Sequence, residues 1–289
     1  MSHRLNTRAW LRGKLCAALL ASSTLMALTA GLLASGTAQA STLPTLTLAL
    51  TKSSITVGGT TQSGAVNVVS SDSGVKEGLT ILFAIKPGYT VAEVEAALKA
   101  GAGKDPNRAD KYGAIVFDAE VNPGQTNEAQ TVLTPGQYVA LGGAGEGGPK
   151  LKAPFTVTAA AAPATLPTAE ATVRSIEFGF RGPTTLHDGE LVRFENEGFL
   201  VHMDVAFPAK SLKAAKAIVK GMLTGKEKGL EKLVSGAPFA FAGPLSHEGF
   251  QQETITAKPG WYVQACFMDT QDGRSHTLLG MERIFKIVK

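Results

Sequence analysis

Apolar residues recur at every second position through much of the chain, as in Ile176, Phe178 and Phe180 and again in Met203, Val205 and Phe207. A period of two places such residues on one face of an extended strand. The runs are separated by turn formers, among them His187-Asp188-Gly189 and Lys258-Pro259-Gly260. Two stretches depart from this pattern. Val91, Val94 and Leu98, and likewise Ala215, Ile218 and Met222, are spaced i, i+3, i+7, which marks the buried stripe of a helix. The second helical segment is expected from about Ser211 to Val234, interrupted by Gly221, Gly225 and Gly229. Many short strands with one helical insertion predict an all-β, Greek-key β-sandwich architecture.

That architecture occurs twice. Shifting the second half over the first by 124 positions places Phe207 on Phe83, Lys210 on Lys86, Phe241 on Phe117, Pro259 on Pro135, Gly260 on Gly136, Tyr262 on Tyr138 and Val263 on Val139, and it superposes the two helical stripes. We read this as an internal duplication. Residues 158–169 contain the uncharged, Pro-interrupted stretch TAAAAPATLPT, the composition of a semi-extended spacer. The expected organisation is residues 1–40 as a leader, 41–157 as the first sandwich, 158–169 as a linker and 170–289 as the second sandwich.

The leader changes the charge picture. Arg4, Arg8, Arg12 and Lys14 precede an apolar stretch from Leu15 to Leu33 and then Ala38-Gln39-Ala40, the three-part pattern of a secretory signal peptide. Cleavage there leaves no membrane span and implies export, to a periplasmic or extracellular space. It removes four of the 28 basic residues and none of the 24 acidic ones, so the exported chain is neutral and offers no basic surface for nucleic acid. It also removes Cys16, leaving Cys266 as a single thiol unable to form an intrachain disulfide. Such a thiol is either a small buried apolar group or a metal thiolate.

The residues around Cys266 favour the second role. Gly260-Trp261-Tyr262-Val263-Gln264-Ala265-Cys266 is followed by His276 and by Gly280-Met281, and Asn196-Glu197-Gly198-Phe199-Leu200-Val201-His202 stands upstream before a strand. This pattern, over roughly Thr172 to Lys289, resembles the plastocyanin/azurin (cupredoxin) family. The resemblance implies one type 1 copper ion, with His202, Cys266 and His276 as equatorial ligands and Met281 as the axial one. Two imidazoles and a thiolate make a trigonal plane suited to copper, and a weak thioether tunes its potential. Tyr262, Gln264 and Cys266 share one strand face by their spacing. Three features differ from the family. Nine residues separate Cys266 from His276 where two to four are usual, Gln264 replaces an aromatic, and His202 is out of phase with Val205 and Phe207, so a bulge or the strand's start must re-aim it.

At the same offset His202 falls on Gly78 and Cys266 on Gly142, and the segment closing the first half is six residues shorter and lacks His and Met. The first copy is therefore expected to bind no copper. His187 and His247 are expected at the surface, and Met203 and Met222 in the core. The glycine run Gly142 to Gly148 does not fit a phosphate loop and reads as a mobile loop, and no G-x-S-x-G or H-E-x-x-H occurs. The expected function is copper-based electron transfer with a redox partner protein, not enzymatic turnover, since a multicopper oxidase needs further His-x-His pairs. Copper storage or delivery, and a metal-free binding or structural module, are the alternatives. Oligomeric state is not legible.

Overall fold

The computed structural model describes residues 43–100, 105–144, 149–237 and 239–289. The leader reading and residues 145–148 of the glycine run lie outside these. The first half contains β1 (Thr45–Leu50), β2 (Ile55–Gly59), β3 (Gly64–Asp72), β4 (Gly78–Ile85), helix α1 (Val91–Ala100), β5 (Gly113–Val121), β6 (Thr126–Leu133), β7 (Gly136–Ala144) and β8 (Leu151–Val157). The second contains β9 (Ala171–Ile176), β10 (Gly179–Arg181), β11 (Thr185–His187), β12 (Leu191–Asn196), β13 (His202–Ala209), helix α2 (Leu212–Leu223), β14 (Phe239–Leu245), β15 (Phe250–Thr254), β16 (Gly260–Ala265) and β17 (Glu282–Val288). Each half is a sandwich of two sheets, β2-β1-β3-β6 over β5-β4-β7-β8 and β10-β9-β12-β15 over β11-β17-β16-β13-β14. The duplication is exact in register at three strand starts, Gly78 and His202, Thr126 and Phe250, Gly136 and Gly260.

The paired residues do the same work in both copies. Phe83 and Phe207, Phe117 and Phe241, and Val139 and Val263 are all buried. Tyr138 Oη accepts from Thr134 N–H at 3.1 Å, and Tyr262 Oη donates to Lys258 O at 2.7 Å, so each tyrosine pins the turn that starts its own strand. Both helices begin on a capped residue. Thr90 and Glu93 exchange hydrogen bonds before α1, and Ser211 Oγ accepts from Ala214 N–H at 3.1 Å before α2.

Each central sheet is covered on both faces, and this decides which residues point where. In β13, Val205, Phe207 and Ala209 lie under α2 with Ala215, Ile218 and Met222, whereas Ala206 faces the sandwich interior with Tyr262, Phe285 and Phe194. The alternation Ile176, Phe178, Phe180 is not one strand. Ile176 pairs with Gly179 across a tight hairpin whose turn is Glu177-Phe178, and Phe178 takes φ 56°, a left-handed conformation that costs a non-glycine residue about 1 kcal/mol. The spacer is also more fixed than its composition predicts. Ala164 O accepts from Ala65 N–H at 2.9 Å and Thr158 O from Ser63 N–H at 2.9 Å, seating the segment along the start of β3.

The two sandwiches share a sheet and a core. Gln252 of β15 pairs with Gln130 of β6, which joins their sheets into one of eight strands. Ile81, Phe83, Ile85, Ile115 and Leu141 of the first half form one apolar cluster with Val201, Cys266, Met268 and Met281 of the second. The first sandwich thus supplies part of the apolar surround of Cys266 and Met281.

Candidate metal centre

His202 opens β13, Cys266 follows the last residue of β16, His276 opens a 3-10 turn (His276–Leu279), and Met281 immediately precedes β17. These elements bring three donors together. His202 Nδ1 lies 3.2 Å from His276 Nδ1, and Cys266 Sγ lies 3.3 Å from His276 Nδ1 and 3.9 Å from His202 Nδ1. Among the described residues these three form the one group of His, Cys, Asp or Glu side chains placed to share an ion. Met281 is fully buried in the same apolar cluster as Cys266, and its backbone holds the site closed: Cys266 N–H donates to Met281 O at 3.2 Å and Met281 N–H to His276 O at 3.0 Å. Met203 N–H reaches Cys266 Sγ at 3.4 Å.

The three sequence departures resolve physically. His202 needs no re-aiming. Val205 and Phe207 face α2 rather than the interior, so the even positions His202, Asp204 and Ala206 are the inward ones; the irregularities in this region are shifts in the pairing of β13 with β14. The long Cys266–His276 spacing folds out as a hairpin. Asp269 pairs with Ser275, Thr270 N–H donates to Arg274 O, and Met268 O accepts from His276 N–H at 2.8 Å. Residues 269–275 thereby project away from the site, and the hairpin's base at Met268 and His276 returns the chain so that His276 Nδ1 meets Cys266 Sγ directly. Gln264 belongs to a buried polar layer under the donors, donating to Asp204 and accepting from Arg283. Burial pushes the Asp204 carboxyl up to about 7, against the opposing pull of Arg283 and Gln264.

The donors suit one copper ion. Bonds of about 2.0 Å to nitrogen and 2.3 Å to sulfur put the donors of a trigonal plane roughly 3.5 Å apart, and the observed separations are 3.2, 3.3 and 3.9 Å. Both rings are available as ligands because both are neutral. Burial, and then the neighbouring His276, pulls His202 down to about 3; burial pulls His276 down to about 4, with Glu177 acting in the opposite sense. A proton competes with a metal only near and below the pKa of the imidazole. An ordinary histidine meets that competition below 6.5, whereas this pair meets it below about 4. So far as the imidazoles decide it, copper retention against a fixed chelator is expected to stay level from pH 7 to about 5 and to fall below about 4, as measured by competition at stepped pH.

At the matching positions the first half has glycines, and its packing leaves no room there for larger side chains. A Cβ at Gly142 would fall 2.8 Å from Leu50 Cδ1 and 3.0 Å from Ile55 Cδ1, and one at Gly78 would fall 2.9 Å from Leu50 Cδ2. Leu50 therefore fills the space that His202 and Cys266 use in the second half. By register, Leu50 beside Asp72 corresponds to Ser175 beside Asn196. The change to a small residue opens that space, and a cavity of about 10 Å³ lined by Ser175, Asn196, His202 and Asp204 remains there.

Asn196 organises the loop into His202. Its Nδ2 donates to Leu200 O and Leu245 O, both at 2.8 Å, and its Oδ1 accepts from Gly198 N–H at 2.9 Å. Two further residues were not legible as site residues. Glu177 Oε1 accepts from Phe199 and Leu200 N–H, and Phe178 packs edge-on against His276, with ring centroids 5.2 Å apart. A third comes from the other sandwich: Asn107 Oδ1 accepts from Val201 N–H at 2.6 Å, one residue before His202. No spacing rule connects positions so distant in sequence. Asn107→Ala leaves the buried Val201 N–H without its partner, at a cost of about 1–3 kcal/mol. It is expected to weaken copper retention about tenfold, read by denaturant melts of the metal-free protein and chelator competition. His187 is exposed as expected, and His247 is partly so.

No protein-family model and no curated protein matches the sequence. Among solved structures the chain is similar to dithionite-reduced auracyanin from Roseiflexus castenholzii, at 16% identity and TM-score 0.26, covering 41% of this chain and 95% of that one. It is also similar to the Cu-containing nitrite reductase of Thermus scotoductus, at 12% identity and TM-score 0.24, covering 85% and 68%, and to the copper nitrite reductase of Nitrosomonas europaea, at 14% and 0.22, covering 85% and 93%. These scores are low, and what the chain can hold is decided by its own donors.

Proposed function

We propose that this chain is an exported one-electron carrier whose second sandwich would hold a single copper ion through His202 Nδ1, Cys266 Sγ and His276 Nδ1, with the Met281 thioether as a further donor. The observation that carries the reading is the convergence of two neutral imidazoles and one thiol, all buried, within 4.8 Å of one another. When bound, copper would supply a one-electron couple, its potential tuned by the Met281 thioether. The chain's part is to hold the donors in one arrangement and keep water out. His276 is 0% exposed, His202 2% and Cys266 0%. Such a closed site suits electron transfer better than release of metal to an acceptor.

The first sandwich serves as scaffold, lending Asn107 and an apolar wall, and residues 158–169 are the boundary between the two. Export is supported by the pattern of residues 1–40, with a periplasmic or extracellular destination. Among the described residues no helix is long and apolar enough to cross a membrane. A carrier is favoured over an enzyme because the sequence lacks the His-x-His pairs of further copper sites. The test is a Cu(II) titration of the reduced protein without its leader, followed by visible absorption. One equivalent taken up with an intense thiolate-to-copper band supports the carrier. Uptake of Cu(I) without that band supports storage or delivery, and no uptake leaves a metal-free binding module.

A further inference from the structure

Among the described residues Phe199 is by far the most exposed large apolar side chain, at 77%. It sits in the loop that enters the ligand His202, and it is rigidly presented. Gly198 N–H donates to Asn196, Phe199 and Leu200 N–H donate to Glu177, and Val201 N–H donates to Asn107. Its ring stacks on His247, with centroids 5.2 Å apart and planes inclined by 29°, and His247 Nδ1 donates to Gly198 O at 2.9 Å. Directly beneath, Gly198 lies against the remote edge of His202, where a Cβ would fall 2.7 Å from Nε2. The surface here is one backbone layer from a ligand ring. The other ring, His276, is completely buried and edged by Phe178.

The rim of this aromatic pair is acidic. Glu248 and Glu197 have side chains 86% and 47% exposed and Glu177 is exposed; Arg174, shared between Glu195 at 3.4 Å and Glu197 at 2.9 Å, offsets one of these carboxylates and leaves the rim net negative. An apolar centre ringed by carboxylates attracts a cationic partner from a distance, and its centre sheds water easily on contact. Preset backbone and ring positions lower the ordering cost of a short-lived complex.

We propose that Phe199 and His247, with the rim of Glu177, Glu197 and Glu248, form the docking surface for a positively charged redox protein, and that the electron passes by way of His202. The partner loses one electron and Cu(II) becomes Cu(I), or the reverse, with no bond made or broken. This rests on the copper-carrier reading above.

Two probes test it. Tris(phenanthroline)cobalt(III), a trivalent cation with aromatic faces, oxidises the Cu(I)-loaded chain in a bimolecular step. Glu197→Gln with Glu248→Gln is expected to slow that step about three- to tenfold at low ionic strength and to speed oxidation by the anion hexacyanoferrate(III). Phe199→Ser is expected to slow the cobalt reaction about threefold or more while leaving the hexacyanoferrate rate within about twofold. In the metal-free protein, the paramagnetic cation hexaamminechromium(III) is expected to broaden the amide resonances of Gly198, Phe199 and Leu200, and the double Glu variant to abolish the broadening. Copper uptake with these rates unmoved, or broadening centred on the 269–275 hairpin instead, overturns the docking surface alone. A folded protein that takes up no copper overturns the carrier reading and the docking surface with it.

Discussion

Cys266→Ser is expected to abolish the intense visible band of the copper-loaded protein and to weaken copper retention by more than about 100-fold, while leaving the fold intact. The band belongs to charge transfer from thiolate to metal, so a hydroxyl in the same place cannot produce it. Affinity falls because the two remaining imidazoles no longer have a charged donor within 3.3 and 3.9 Å. Stability changes less. Serine is close in size to cysteine, and the added burden is a buried hydroxyl in an apolar cluster, about 1–3 kcal/mol. Visible absorption and chelator competition read the first two effects, and thermal unfolding of the metal-free proteins reads the third. A variant that keeps the band would show that copper sits elsewhere, and a wild-type protein without any band would remove electron transfer as the function.

Much of the fold is legible in the sequence because the two copies constrain each other. A single alternating run cannot say which face is interior, but Tyr138 and Tyr262, or Phe83 and Phe207, recur at one offset and so mark positions the fold needs twice. The donor set is legible for the opposite reason. His202, Cys266, His276 and Met281 occur in one copy only, where their counterparts are absent or glycine. What was not legible depends on contacts between distant segments. The phase of His202 misleads because the bulky residues of β13 lie under a helix, leaving the interior to small and polar ones. The Glu177-Phe178 turn has no glycine or asparagine in its two central positions, so nothing local announces it. The role of Ser175 appears only when its register is compared with that of Leu50, and Asn107 acts across the boundary between the sandwiches.

Gly198→Ala is expected to cost about 1–3 kcal/mol and to change the copper site's spectrum, although a single methyl group is added outside the donor set. Gly198 has no left-handed φ, so its backbone accepts alanine and any effect is steric. The new Cβ would fall 2.7 Å from His202 Nε2, 2.8 Å from Glu177 Oε1 and 2.9 Å from His202 Cδ2, all closer than packed atoms tolerate. Either the imidazole tilts or the loop lifts. A tilted ring moves Nδ1 relative to Cys266 Sγ, and copper retention then falls about 10- to 100-fold, the range seen when a ligand's support is disturbed. A lifted loop instead strains the bonds from Phe199 and Leu200 to Glu177, and the loss appears in the melting of the metal-free protein. Gly260→Ala is the matched control, because its Cβ meets nothing nearer than 3.8 Å and its φ is also unconstrained. It should leave both readouts within about 0.5 kcal/mol and twofold. If Gly198→Ala behaves like that control, the loop is slack, and neither His202's position nor the rigidity of Phe199 is set by the packing described above.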